Sequence, residues 1–156
     1  MKVGRITCSD RASSGIYEDK GGPEIERVFT GIWSEPVEFV AEIIPDEVRE
    51  IEAALCHLAD DVRCPLIITT GGTGFAERDV TPEATRAVLQ KELPGFGEIM
   101  RAQSFAVAPT SILSRATAGI RGRSLIINLP GNPKSIAQCL PLLVPAIREA
   151  LRHLTE

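Results

Sequence analysis

The sequence predicts an α/β fold, a mostly parallel central sheet covered by helices on both faces. Three observations predict it. Leu66 to Thr70 and Ser124 to Leu129 are short, continuously apolar runs, the pattern of strands buried on both faces. Helical stretches with one apolar face separate the strand signals, which implies parallel crossovers. Glycine- and proline-rich turns follow the strands where a loop must leave the sheet.

The elements follow in order. Val3 to Cys8 reads as the first strand and ends at Ser9-Asp10-Arg11. Residues 11 to 22 are polar and contain glycine, so a loop is expected there, with a helix over about Pro23 to Ile32. Val37, Phe39, Ala41 and Ile43 alternate with other residues, a period-two strand signal. Pro45-Asp46 opens a helix through about Asp61, with Val48, Ile51, Ala54, Leu55 and Leu58 on one face. After the strand at Leu66 to Thr70 comes TTGGTGFAERDVTPE, in which Thr81 is the expected cap of a helix with Pro82 at its first position. Another helix follows Pro94-Gly95-Phe96-Gly97 and runs to about Val107. The strand Ser124 to Leu129 ends in Pro130-Gly131-Asn132-Pro133-Lys134, where Asn132 caps and Pro133 begins the last helix. Pro141 and Pro145 predict a kink in that helix.

The chain has 156 residues, 44% hydrophobic and 24% charged, the composition of one ordinary globular domain, residues 1–156. A net charge of -4 argues against duplex nucleic acid as the main partner, since that surface is usually basic. It leaves room for an anionic small molecule, because local cations or a metal can reverse the sign inside a pocket. No apolar run approaches the roughly 20 residues of a membrane span, and the N-terminus lacks a signal-peptide core. Cys8, Cys56, Cys64 and Cys139 form no CxxC pair, so reduced, mostly buried thiols are expected in a cytoplasmic protein. His57 and His153 have no partner spacing and read as structural or solvated, and Trp33 as the cover of an apolar face.

In open α/β sheets, ligands bind beyond the carboxyl ends of the strands. Unusual residues follow each main strand: Ser9-Asp10, Asp46, Gly71-Gly72-Thr73-Gly74, and the turn Pro130 to Lys134. Glycines there let backbone N–H groups approach phosphate oxygens. The loop lacks the GK[ST] ending of a Walker A motif and the third glycine of a dinucleotide fingerprint, which disfavours NAD-dependent oxidoreduction. If Thr81 caps the helix, Asp79 is left free, and a carboxylate beside a phosphate loop suits magnesium. Asp46 reads equally as a helix cap or as a functional acid. Asn132 to Ser135 opens a helix whose N–H groups and dipole favour an anion, with Lys134 adding a point charge. Ser114-Arg115 offers a guanidinium able to fork onto a phosphate. Glu77 and Arg78 are left as a solvated rim.

The segments TTGGTGFAERDVTPEAT, PGFGEIMR, SILSRATAGIRG and SLIINLPGNPKS closely resemble the molybdopterin adenylyltransferases of molybdenum cofactor biosynthesis, a unit also found as the G domain of gephyrin. The likeness spans essentially the whole chain. It implies a three-layer α/β fold assembled as a homotrimer. It implies attack of the terminal phosphate of molybdopterin on the α-phosphorus of ATP, giving adenylylated molybdopterin and pyrophosphate. Carried over by motif, Asp46 of PDE and Asp79 of RDVTPE serve magnesium and catalysis. Gly71 to Gly74 and Pro130 to Asn132 belong to the nucleotide site, while Ser9, Asp10, Ser114 and Lys134 lie in motifs lining the same cleft. Hand-over to the molybdenum-insertion enzyme of the same pathway is a further implication. A non-catalytic molybdopterin carrier or a paralogue of the pathway would share this fold, and a carrier would not need the aspartates.

Overall fold

The computed structural model describes residues 1–156. Its six strands are β1 (Lys2–Cys8), β2 (Glu38–Ile44), β3 (Leu66–Thr70), β4 (Lys91–Glu92), β5 (Ala118–Arg121) and β6 (Ser124–Leu129), joined in one sheet of order β2-β1-β3-β6-β5-β4. β2, β1, β3 and β6 run parallel, and β5 and β4 add an antiparallel edge. The helices are α1 (Asp10–Ser13), α2 (Gly21–Ile32), α3 (Val48–Cys56), α4 (Thr81–Val88), α5 (Gly95–Phe105) and α6 (Pro133–Thr155). No helix is long and apolar enough to cross a membrane.

Strand alternation divides the core into two layers. Val3, Leu66, Ile68, Leu125, Ile127 and Leu129 pack on α2, α5 and α6. Ile6, Cys8, Ile67 and Ile126 pack on α3 and α4. Every residue of β3 and β6 is buried, so the uninterrupted apolar runs have the expected cause. The fold is the three-layer α/β sandwich anticipated above.

Register sets the functional edge. Cys8 pairs with Ile44, Thr7 with Thr70, and Thr70 with Leu129. The last residues of the four parallel strands therefore lie side by side, and the segments that follow them emerge together.

Several expectations need correction. The loop expected over residues 11 to 22 contains one helical turn, α1, and α2 starts two residues early at Gly21. The turn forms because Ser9 Oγ accepts the Ala12 N–H at 3.2 Å. The helix after Pro45 begins at Val48, and its last stretch, His57–Asp61, is a π-helical turn. The β4–β5 edge was not anticipated: β4 is two charged residues, and β5 begins with alanine and glycine. Gly119 is needed there, because a Cβ would lie 2.3 Å from the Lys91 carbonyl oxygen. Asn132 does cap α6, accepting the Lys134 N–H at 2.9 Å. Pro141 and Pro145 sit inside one uninterrupted helix, on its exposed side. Trp33 stacks on Phe29, with the Arg148 guanidinium 4.0 Å above its ring. The thiols are free, and Cys8, Cys64 and Cys139 are buried.

Candidate active site

Two clefts open beside the LPGNP turn. The larger, about 270 Å³, is lined by Cys8 and Ser9, Asp46, Thr70 to Gly72, Gly131 and Pro133, and by Tyr17, Asp19 and Lys20 before α2 and Gly21 at its start. The smaller, about 110 Å³, holds Arg101, Ser111, Ser114, Pro130 and Ser135. A wider cavity of about 720 Å³ lies at the opposite edge, around Met1, Pro65 and Leu154. It touches none of the strand-end loops, so its size does not make it the site.

The glycine loop is shaped by backbone geometry. Gly71 and Gly72 adopt φ of 91° and 67°, a region side-chain-bearing residues rarely occupy. Gly71 also approaches β1 closely, since a Cβ there would lie 2.4 Å from the Cys8 carbonyl oxygen. Gly131 packs against Gly71, and Thr70 Oγ1 donates to the Pro130 carbonyl at 2.7 Å. The GGTG and LPGNP turns therefore form one surface.

Thr81 does not cap α4. The cap position is Val80, with no side-chain cap bond, and Thr81 Oγ1 donates to the Gly71 carbonyl at 3.0 Å. Its hydroxyl ties the helix start to the glycine loop. Asp79 is consequently not free as expected: its Oδ2 accepts the Ala76 N–H at 3.0 Å, closing the FAER turn. The local pattern T-P at a helix start was read correctly as a start, but not for the direction of the threonine hydroxyl.

Asp46 is not a cap either, because Glu47 occupies that position without a side-chain bond. Asp46 and Asp10 instead bind each other reciprocally, the Asp10 N–H donating to Asp46 Oδ2 and the Asp46 N–H to Asp10 Oδ1, both at 3.0 Å. Asp46 Oδ1 is buried without any partner. A buried acceptor left unmade costs about 1–3 kcal/mol, so this oxygen points to a missing ligand. Burial pushes the Asp46 carboxyl above its ordinary value, and the charges of Asp10 and Asp79 push the same way. The hydrogen bonds from Arg78 lower the Asp10 carboxyl from its ordinary value. Beneath them, burial drives the Cys8 thiol up to about 12, leaving it inert.

The arginines are the largest surprise. Arg78, expected on a solvated rim, donates to Asp10 Oδ2 at 3.0 Å, Asp10 Oδ1 at 2.9 Å and Glu47 Oε1 at 2.8 Å. Arg115, expected to fork onto a phosphate, donates to the carbonyls of Gly74 and Asp79 at 2.8 Å each and pairs with Glu83. Its own N–H reaches the Thr73 carbonyl at 2.8 Å. Arg115 is thus a clamp on the glycine loop, and Lys134 is the exposed cation beside the turn.

The structure brings Ser9, Asp46, Gly71, Gly72 and Gly131 to the larger cleft, with Asp10 bonded to Asp46 beside it. Thr73 is buried behind it, held through its carbonyl by Arg115. Ser114 and Ser135 line the smaller cleft instead, with Pro130 between the two; the Ser114 carbonyl is fixed by Arg101 at 3.3 Å. Sequence reading missed Asp19, whose carboxylate accepts from Thr7 Oγ1, Arg5 Nη1 and Gly22 N, each at 3.0 Å. An arginine inside an otherwise apolar strand was the available signal that an acid must lie opposite it.

Two carboxylates beside a phosphate-shaped loop fit magnesium, which takes one or two protein carboxylates and completes its shell with substrate oxygens and water. No cluster of three or more metal-binding side chains exists, so the residues do not form a complete protein cage.

An edge of glycine backbone and paired carboxylates suits a phosphorylated ligand. A family model described as a probable molybdopterin binding domain matches residues 4–149. The crystal structure of the molybdopterin biosynthesis enzyme MoaB from Thermus thermophilus superposes with a TM-score of 0.89 at 42% identity, covering 99% of this chain and 96% of that one. The molybdopterin adenylyltransferase of Helicobacter pylori strain ATCC 700392 / 26695 is 55% identical over 147 residues, 94% of this chain and 84% of its own. That of Escherichia coli K12 is 52% identical over 140 residues, 90% of this chain and 72% of its own. Gephyrin of Dictyostelium discoideum is 39% identical over 96% of this chain, which spans 22% of gephyrin. The chain belongs to the molybdopterin adenylyltransferase family.

Proposed function

We infer that this chain is a nucleotidyltransferase of molybdenum cofactor biosynthesis, moving the adenylyl group of ATP onto the terminal phosphate of molybdopterin. A phosphate oxygen of molybdopterin attacks the α-phosphorus, the bond from the α-phosphorus to the α,β-bridging oxygen breaks, and pyrophosphate leaves carrying that oxygen. The observation that carries this reading is the orphaned Asp46 Oδ1 at a strand-end cleft in a chain 55% identical to a molybdopterin adenylyltransferase.

The chemistry asks for positioning and charge neutralisation more than for a protein nucleophile. The attacking phosphate is already ionised near neutral pH, so no strong base is required. Asp46 and Asp79 would hold magnesium, with Asp46 Oδ1 as the preset oxygen. Magnesium supplies neutralisation of the triphosphate and of the departing pyrophosphate. Backbone N–H groups of the Gly71 to Gly74 loop and of the α6 start orient phosphate oxygens. Lys134 contributes a flexible point charge, while Ser9, Ser114, Pro130, Gly131 and Ser135 line the two clefts for nucleotide and pterin, with Asp10 and Asn132 beside them holding Asp46 and the start of α6.

The reading extends to assembly as a cytoplasmic homotrimer. An apolar outer groove between Phe96 and Ile99 of α5 and Leu142, Pro145 and Ala146 of α6 supports it, because such patches on monomers are rare. Light scattering should give three times the 16.9 kDa chain mass; a monomer at all concentrations would remove the trimer. For the site, Asp79→Asn should fold normally while turnover falls at least about 100-fold, the scale of losing one transition-state electrostatic partner. Unchanged turnover would reduce Asp79 to the closure of its own turn.

A further inference from the structure

We propose that Arg78 is a positioning residue for adenylyl transfer: it fixes Asp10, and Asp10 aims the free carboxylate oxygen of Asp46 into the cleft. The inference rests on the adenylyltransferase reading and gives a role to a residue that the reaction chemistry alone does not call for.

The geometry is a relay of three groups from distant parts of the chain. Arg78 straddles both oxygens of Asp10 at 3.0 and 2.9 Å. Asp10 then makes the reciprocal pair with Asp46, both bonds at 3.0 Å. That pair occupies Asp46 Oδ2 and fixes rotation of the carboxylate. Oδ1 is left as the buried oxygen without a partner, beside Gly72, where even a Cβ would come within 3.1 Å of it.

Charge argues the same way. Two carboxylates in backbone-to-side-chain contact repel each other, and the guanidinium is bonded to Asp10, one member of that pair. As a surface ion pair Arg78 would contribute little to stability, since its side chain is 55% exposed. Its partners, 68 residues away in sequence at Asp10 and 31 away at Glu47, are instead placed where the site needs order. Lysine could supply the charge but not the fork.

The test compares wild type, Arg78→Ala and Arg78→Lys, with Glu35→Gln, at the unrelated Arg148 pair, as the surface-pair control. Each is assayed for kcat, for KM toward ATP and for the magnesium concentration giving half-maximal rate. Binding of Mn²⁺ with a non-hydrolysable α,β-methylene ATP analogue is measured directly by calorimetry. Removing an outer-shell partner costs about 10- to 100-fold in metal affinity or activity. Arg78→Ala should therefore lose that much in kcat and in Mn²⁺-nucleotide affinity, with its melting temperature near wild type. Arg78→Lys should recover part of the loss, and Glu35→Gln should match wild type. Wild-type kcat and wild-type Mn²⁺-nucleotide affinity in Arg78→Ala would overturn the proposal, as would equal losses in Glu35→Gln. Absence of product from wild type would remove the adenylyltransferase reading itself, and the calorimetric comparison would still decide on Arg78.

Discussion

Gly71→Ala is the perturbation that tests most sharply how the glycine loop is built. The residue has φ of 91°, and a Cβ would sit 2.4 Å from the Cys8 carbonyl oxygen, a backbone atom at the end of β1. Holding an L-residue in the left-handed region costs about 1–2 kcal/mol. Relieving the contact means moving β1 or the loop against a packed core, which costs about 1–3 kcal/mol. The loss of unfolded-state freedom gives back about 0.4–1 kcal/mol. The net destabilisation is about 1–5 kcal/mol, centred near 3, a fall of roughly 10 °C in melting temperature for a chain of this size. Gly15→Ala isolates the strain alone, because Gly15 has φ of 77° with nothing within 4 Å of its Cβ position; it should cost about 0–1.5 kcal/mol. Urea unfolding followed by circular dichroism gives both values, with equal m-values confirming a native-state effect. Equal losses in the two variants would refute the argument from close approach.

Three further outcomes follow from the same geometry. Asp46→Asn should raise the melting temperature at pH 7 while reducing turnover. The sign is fixed by the upward shift of the carboxyl: its ionisation weakens the fold as pH rises above 3.8, so the gain should vanish below that pH in thermal melts. Asn128 is fully buried, donating to Thr69 Oγ1 at 3.0 Å and Thr85 Oγ1 at 2.9 Å and accepting from Thr117 N at 3.3 Å. Asn128→Leu strands these groups and should cost about 2–4 kcal/mol in denaturant unfolding. Arg115→Ala removes the bonds to Gly74 and Asp79; limited proteolysis should then cut first within residues 73 to 79, and unchanged cleavage would deny the clamp.

The layered fold was legible because its signals are local. Continuous apolar runs at β3 and β6, and helix starts at Thr81-Pro82 and Asn132-Pro133, each declare their element. The edge β4 escaped because two charged residues carry no periodicity, and β5 because its glycine serves a neighbouring backbone. The site was legible at the level of segments, since parallel strands must present their ends together. Side-chain direction was not. Whether Thr81 bonds forward to its helix or back to Gly71, and whether Arg115 reaches a ligand or its own loop, depends on partners 10 and 41 residues away. For the same reason the Asp10–Asp46 pair and its Arg78 clasp could be found only once β1 and β2 lay side by side.

The central claim is adenylyl transfer at the Asp46 edge of the sheet. Folded protein incubated with molybdopterin, ATP labelled at the α-phosphate and magnesium should yield adenylylated molybdopterin carrying the label, with one pyrophosphate released per product. Bound molybdopterin with no labelled product would contradict the account and leave a carrier. Release of inorganic phosphate in place of pyrophosphate would contradict it equally, because cleavage would then fall at the wrong phosphorus.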